Sequence, residues 1–148
     1  MATYRAIASA SAAVTRLLEE SAGTAGFSGD DLELLVHRVR VSTAGPEAQG
    51  MVLPVDVHAV VLLSNADAER LLELAGWIMR TLHHHPVLTS ELLNGASGGD
   101  PVFGAGEVVE ILVDQVDDEE MSRLRQGIGA AGSGVLLLPY VLRGLRIE

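Results

Sequence analysis

Ile7, Ala10, Val14, Leu17 and Leu18 recur at the spacing of an amphipathic helix, and Gly23 follows where a left-handed C-terminal cap would sit. A first helix is therefore expected from about Thr3 to Ser21. The small, polar stretch Ser21 to Asp30 hands over to LELLVHRVRV, whose Leu and Val content and alternation predict a strand. After the turn-rich STAGPEAQG comes MVLPVDVHAVVLLS, too β-branched for a helix, with Pro54 near its start where an edge or a bulge tolerates the missing N–H. The two runs predict a hairpin.

Ser64 or Asn65 can cap a second helix, in which Ala68, Leu71, Leu72, Ala75, Ile78, Met79 and Leu82 form an apolar stripe while Glu69, Arg70, Glu73 and Arg80 turn away. HHHP ends it, because Pro86 cannot continue a helix, and TSELLNG reads as a short capped turn closed by Gly95. Asn94 to Gly106, NGASGGDPVFGAG, is expected to be a mobile loop. EVVEILVDQV predicts a third strand. Asp117 and Glu120 then make a capping-box-like start to a short helix carrying Met121, Leu124 and Ile128, and GVLLLPYVLRGLRI is the last strand.

The order α-β-β-α-β-α-β predicts one α/β (α+β) domain over residues 1–148: a mainly antiparallel four-stranded sheet packed with helices. The final strand is apolar at both parities, Val135, Leu137 and Val141 against Leu136, Leu138 and Leu142, so both sheet faces need cover. Three short helices leave room for a partner chain as part of that cover.

Composition narrows the class. At 148 residues the chain can bury about 70% of its unfolded surface, and with two Phe, two Tyr and one Trp the core must be aliphatic. Zero Cys removes disulfides, thiolate nucleophiles and Cys-containing zinc sites. A formal charge of -10 disfavours nucleic acid. All ten basic residues are Arg. Arg5 and Arg16 interrupt any apolar leader, and the longest apolar run, Val135 to Leu142, falls far below the ~20 residues that span a bilayer. The expectation is a cytoplasmic protein that binds neither nucleic acid nor membrane.

Several residues invite a chemical reading. His83, His84 and His85 are adjacent, so on a helix they point in three directions instead of converging on a metal, and they suit the negative end of the helix dipole. GIGAAG, Gly127 to Gly132, matches a dinucleotide fingerprint, yet it follows a helix and precedes a strand, the reverse of what phosphate binding needs. Asp56 and His58 share a strand face, but with Ser42 or Ser64 they lack the GxSxG elbow of a hydrolase. DDEE, Asp117 to Glu120, is accounted for by a helix N-terminus, no DxDxDG loop being present, and Trp77 reads as packing. No nucleophile, base and oxyanion site are found together. A small-molecule-binding or hydrolytic domain using Asp56, His58 and His83 to His85 stays open as the alternative; otherwise no enzyme, metal or cofactor is expected.

Three stretches resemble the cap, or tail-terminator, proteins of phage-tail-like contractile injection systems: LVHRVRV at Leu35 to Val41; LPVDVHAVVLLSNADAERLLELAGWIMRTLHHHPVL at Leu53 to Leu88; and DDEEMSRLRQGI followed by LLLPYVLRGLRI. The second is the most specific, with Pro, alternating apolar-Asp-apolar-His, an Asp-containing turn, an amphipathic helix and Leu-x-x-His-Pro-Val-Leu. The chain departs at Leu124 or Arg125, where many members carry Trp, and at Ala59, where Tyr is common. The resemblance implies a phage tail-terminator-like fold and a structural role. A homo-oligomeric, sixfold ring would sit on the last layer of inner tube protein and sheath protein, end polymerisation and anchor the sheath. Asn94, Gly98, Gly99, Asp100, Phe103, Gly104, Arg143 and Arg146 are the residues expected to make ring and partner contacts, and deleting Ser97 to Gly104 is expected to leave the fold intact.

Overall fold

A computed structural model describes residues 2–42, 52–95, 99–129 and 134–148. Helix α1 (Ala6–Thr24) leads through one 3-10 turn (Gly29–Asp31) into β1 (Leu32–Val41), followed by β2 (Leu53–Ser64), α2 (Ala68–His84), β3 (Val87–Thr89), α3 (Ser90–Gly95), β4 (Val108–Val113), α4 (Asp118–Ile128) and β5 (Val135–Ile147). The strands form a five-stranded sheet in the order β1-β2-β5-β4-β3, with every neighbouring pair antiparallel. The expected four-stranded sheet thus gains an edge strand. Val87–Thr89 is too short to show alternation, and it is held on β4 by pairs such as Leu88 with Val109. Immediately before it, the Pro86 carbonyl accepts from Ile111 N–H at 2.8 Å.

β1 and β2 pair as expected, from Leu32 opposite Leu63 to Val41 opposite Val55, with a bulge at His37. The connection STAGPEAQG lies outside the described residues beyond Ser42. β2 is an internal strand, not an edge. Pro54 is tolerated because it stands one residue from the strand start and beside a second bulge between Val55 and Val57, and its carbonyl still accepts from Ser42 N–H.

The helix boundaries move for local reasons. α1 continues through Gly23 to Thr24, and the left-handed residue that ends it is Gly26, at φ +86°. α2 is capped by Asp67, not by Ser64 or Asn65: its carboxylate accepts from Glu69 N–H and Arg70 N–H, while Asn65 Oδ1 accepts from Asp67 N–H. Its buried stripe is Leu71, Leu74, Ala75, Ile78, Thr81 and Leu82, rotated away from Leu72 and Met79, which are 64% and 51% exposed. Trp77 packs as expected. Its Nε1–H donates to Ser21 Oγ at 2.8 Å and Ser21 Oγ meets Thr81 Oγ1 at 2.7 Å, which locks α1 to α2.

α1, α2 and α3 cover one face of the sheet, where Val55, Val57, Val61, Leu63, Leu142 and Leu145 join the main core. The other face carries Asp56, His58, Val60 and Leu62 of β2 beside Leu137 and Val141 of β5. There α4 lies over the upper half, its Glu120 carboxylate 3.6 Å from the Arg38 guanidinium. Val60, Leu137 and Val141 are buried, while Met121, Leu124 and Ile128 of α4 are half-buried. The second face is thus covered in part by the chain itself.

Leu74 is fully buried and Leu72 is not. Leu74→Ala should cost about 2–5 kcal/mol of unfolding free energy, whereas Leu72→Ala should stay within about 0.5 kcal/mol, both measured by urea denaturation.

Candidate assembly surfaces

The expected contact residues fall into two regions. In the first, Asn94 ends α3 and turns its side chain onto the following loop: Oδ1 accepts from Val102 N–H and Phe103 N–H at 2.9 and 2.8 Å, and Nδ2 donates to the Phe103 carbonyl at 2.9 Å. Val102 and Phe103 are buried in the main core. Gly104 N–H donates to the Glu107 carboxylate at 2.6 Å. This half of the loop is pinned, so the expectation of mobility does not hold for it, and Phe103 is a core residue, not a contact. Deleting Ser97 to Gly104 would remove two core side chains, so the fold would not stay intact. Gly99 and Asp100 are exposed; Gly98 and Ser97 lie outside the described residues.

The second region is built by β5. Arg143 and Arg146 are exposed on the sheet face opposite α1 and α2, below α4. Gly144 between them has φ +98°, and a Cβ there would approach the Val108 carbonyl oxygen to 3.2 Å, so only glycine gives this bulge without strain. The bulge lets Leu145 return to the core while both arginines face out. Arg143 stands opposite Glu110 of β4, its Nε is 3.9 Å from Asp56 Oδ1, and Asp56 stands opposite Arg40 of β1. Four strands thus present a row of alternating charge, Arg40, Asp56, Arg143, Glu110.

Two exposed apolar features flank this. On the helix-bearing face, Val36, Val39 and Val41 of the free edge strand β1 extend past the helices and are 39%, 48% and 51% exposed. Between the end of α2 and β4, an open groove of about 600 Å³ is lined by Met79, Leu82, Pro86, Ile111, Val113 and Tyr140. Contiguous exposed apolar surface of this kind occurs at interaction sites and at ligand-binding grooves.

The residues of the catalytic alternative do not converge. His58 Nδ1 lies 2.7 Å from Asp114 Oδ2 instead of pairing with Asp56. His83 and His84 end α2 on the opposite side of the sheet, and His85 is its C-cap, with Nδ1 2.9 Å from the Thr81 carbonyl oxygen. Among the described residues no cluster of three or more His, Cys, Asp or Glu is placed to hold a metal ion, and no helix is long and apolar enough to cross a membrane. Asp117 caps α4 by accepting from Glu120 N–H at 2.8 Å, as the capping box predicts. Gly129, at φ +75°, ends that helix, while residues 130–132 of GIGAAG lie outside the described residues.

One cluster was not legible from spacing. His37, at the β1 bulge, places its ring 6.3 Å from that of His58, and its Nε2 is buried without a hydrogen-bond partner. Burial foremost, and then the neighbouring His58, lower its pKa from the ordinary 6.5, against smaller opposing effects of Asp114 and Glu120. Only the acidic residue just past the end of β4 hinted at a partner for His58.

Comparison with protein-family models matches residues 36–148 to the Pvc16 N-terminal domain, from the middle of β1 to the end of the chain. No curated protein matches it.

The Asn94 bonds predict that Asn94→Ala loosens the segment it pins, lowering stability by about 1–3 kcal/mol and speeding proteolysis at residues 99–107, read by limited digestion. His37 gives a pH prediction. Its folded pKa is depressed, so the unfolded chain takes up the proton first. The stability it contributes is complete above pH 6.5 and is lost as pH falls below that value. Urea midpoints across pH should therefore show the wild type losing ground to His37→Gln below pH 6.5, and parallel curves would refute the assignment.

Proposed function

The chain belongs to the Pvc16 N-terminal domain family, a membership carried by the match across residues 36–148 that makes it a contractile-injection-system protein, and from it we propose that the chain is the cap of such a particle. In this reading copies of the chain form a sixfold ring on the last layer of inner tube and sheath, where the ring ends polymerisation and holds the sheath end during contraction. The role is structural, with no catalytic step and no cofactor.

The physical requirements of a cap support this reading. A terminator presents one face that matches the preceding ring and another that templates nothing further, which calls for heterologous contacts that close by rotation. The β1 edge with Val36, Val39 and Val41, and the groove beside Met79 and Val113, supply apolar surface that a free monomer has no use for. The row Arg40, Asp56, Arg143, Glu110 supplies polar surface whose contacts depend on salt. Within the expected contact set, Gly99, Asp100, Arg143 and Arg146 stand exposed for this use.

Particles assembled without the chain should have tubes and sheaths of uncontrolled length in electron micrographs, and adding it back should restore one length. Unchanged length distributions without it would overturn the cap reading. Light scattering of the purified chain with tube ends should give the mass of a closed ring.

A further inference from the structure

The ten-residue strand β1 connects an acidic end to an end of mixed charge, the two lying roughly 30 Å apart at 3.3 Å per residue. At its start, the 3-10 turn brings Asp30 and Asp31, β1 itself adds Glu33, and the α2 cap adds Asp67 and Glu69. These acids share one end: Asn65 Nδ2 donates to Asp31 Oδ2 at 3.0 Å, and Asn65 Oδ1 accepts from Asp67 N–H. The cation among them, Arg70, is held by contacts within the chain, its side chain 40% exposed. Its Nη2 donates to the Gly26 carbonyl at 2.8 Å and its guanidinium lies 4.1 Å from the Phe27 ring centroid.

The opposite end gathers Arg38, Arg40, Arg143 and Arg146, four of the ten basic residues of a chain whose net charge is -10. Asp56, Glu107, Glu110, Glu120 and Glu148 also lie at this end, but in the ion pairs Arg143–Asp56 and Arg38–Glu120 the cation is the outer partner. The Arg143 side chain is 56% exposed against 22% for Asp56, and that of Arg38 is 50% against 38% for Glu120. Two shallow concavities flank the arginines, about 280 Å³ beside Glu107 and Glu110 and about 140 Å³ beside Pro54 and Asp56, each wide enough for a carboxylate side chain.

From the outward placement of these guanidinium groups we infer that the arginine end of one copy takes the acidic end of a second copy, Arg40 and Arg143 receiving Asp30 and Asp31. Unlike ends on one chain make a head-to-tail contact, which closes into a ring or runs on as a stack, depending on the rotation between copies. The contact deepens the ring-forming reading above and rests on it, since it names the surfaces through which copies meet.

The test is sedimentation of the full chain at low and high salt. Self-association of the wild type should weaken with salt. The double variant R40E/R143E, and separately D30R/D31R, should each associate at least about tenfold more weakly, and an equimolar mixture of the two should regain association because each supplies the end the other has lost. All four positions are on or near the surface, so unchanged far-UV circular dichroism checks the fold. A wild type that stays monomeric at low salt, an association that reversal leaves unchanged, or a mixture no better than its components would each overturn the inference. Rings that persist unchanged in R40E/R143E would overturn this contact while leaving the cap reading standing. Charge-dependent association by a chain that does not control sheath length would do the opposite.

Discussion

Two adjacent strands, β2 and β5, carry aliphatic side chains on both faces, and the other elements are placed to keep both faces out of water. Val57, Val61, Leu63, Leu142 and Leu145 meet α1, α2 and α3 on one side; Val60, Leu137 and Val141 lie under α4 on the other. Burying each such side chain contributes roughly 1.5–3 kcal/mol, so leaving either face bare would forfeit much of the stability of a chain this size. The small helix α4, with no fully buried residue of its own, matters for this reason. It completes a sandwich whose second layer is thin, and it leaves the lower part of that face to Arg40, Asp56, Arg143 and Glu110.

Much of this was legible because the signals were periodic. β1 follows the alternation of LELLVHRVRV, the β1–β2 pairing follows from two β-branched runs, and Asp117 caps α4 as the spacing to Glu120 predicts. The errors arose where a local choice depended on distant residues. Three residues, Val87–Thr89, become a strand only because β4 is there to pair with. Leu74 displaces Leu72 from the buried stripe of α2 because the helix rolls to fit α1, through Trp77 and Ser21. A glycine-rich stretch reads as mobile until Asn94 is seen holding Val102 and Phe103.

The candidate site divides in the same way. Arg143 and Arg146 were read as contact residues and stand exposed, yet their setting in a charge row needed the sheet register, which the sequence does not display. Asp56 and His58, two residues apart, suggested a pair; in the fold each finds a different partner, Arg143 and Asp114. Both pairs belong to the polar bonding of one sheet face, while His83 to His85 lie on the other side. Family membership, not a catalytic constellation, carries the functional reading.

The free edge of β1 has one more consequence. Among the described residues no strand pairs with the outer edge of β1, so this ten-residue strand with three exposed valines on one side offers its N–H and C=O groups to an extended chain, and such edges template aggregation. The bulge at His37 breaks the flat run of the edge, and Arg38 and Arg40 place charge along it. Both features blunt indiscriminate pairing without covering the valines. The result is an edge that stays sticky enough for one fitting strand to use, and irregular enough to resist pairing with others.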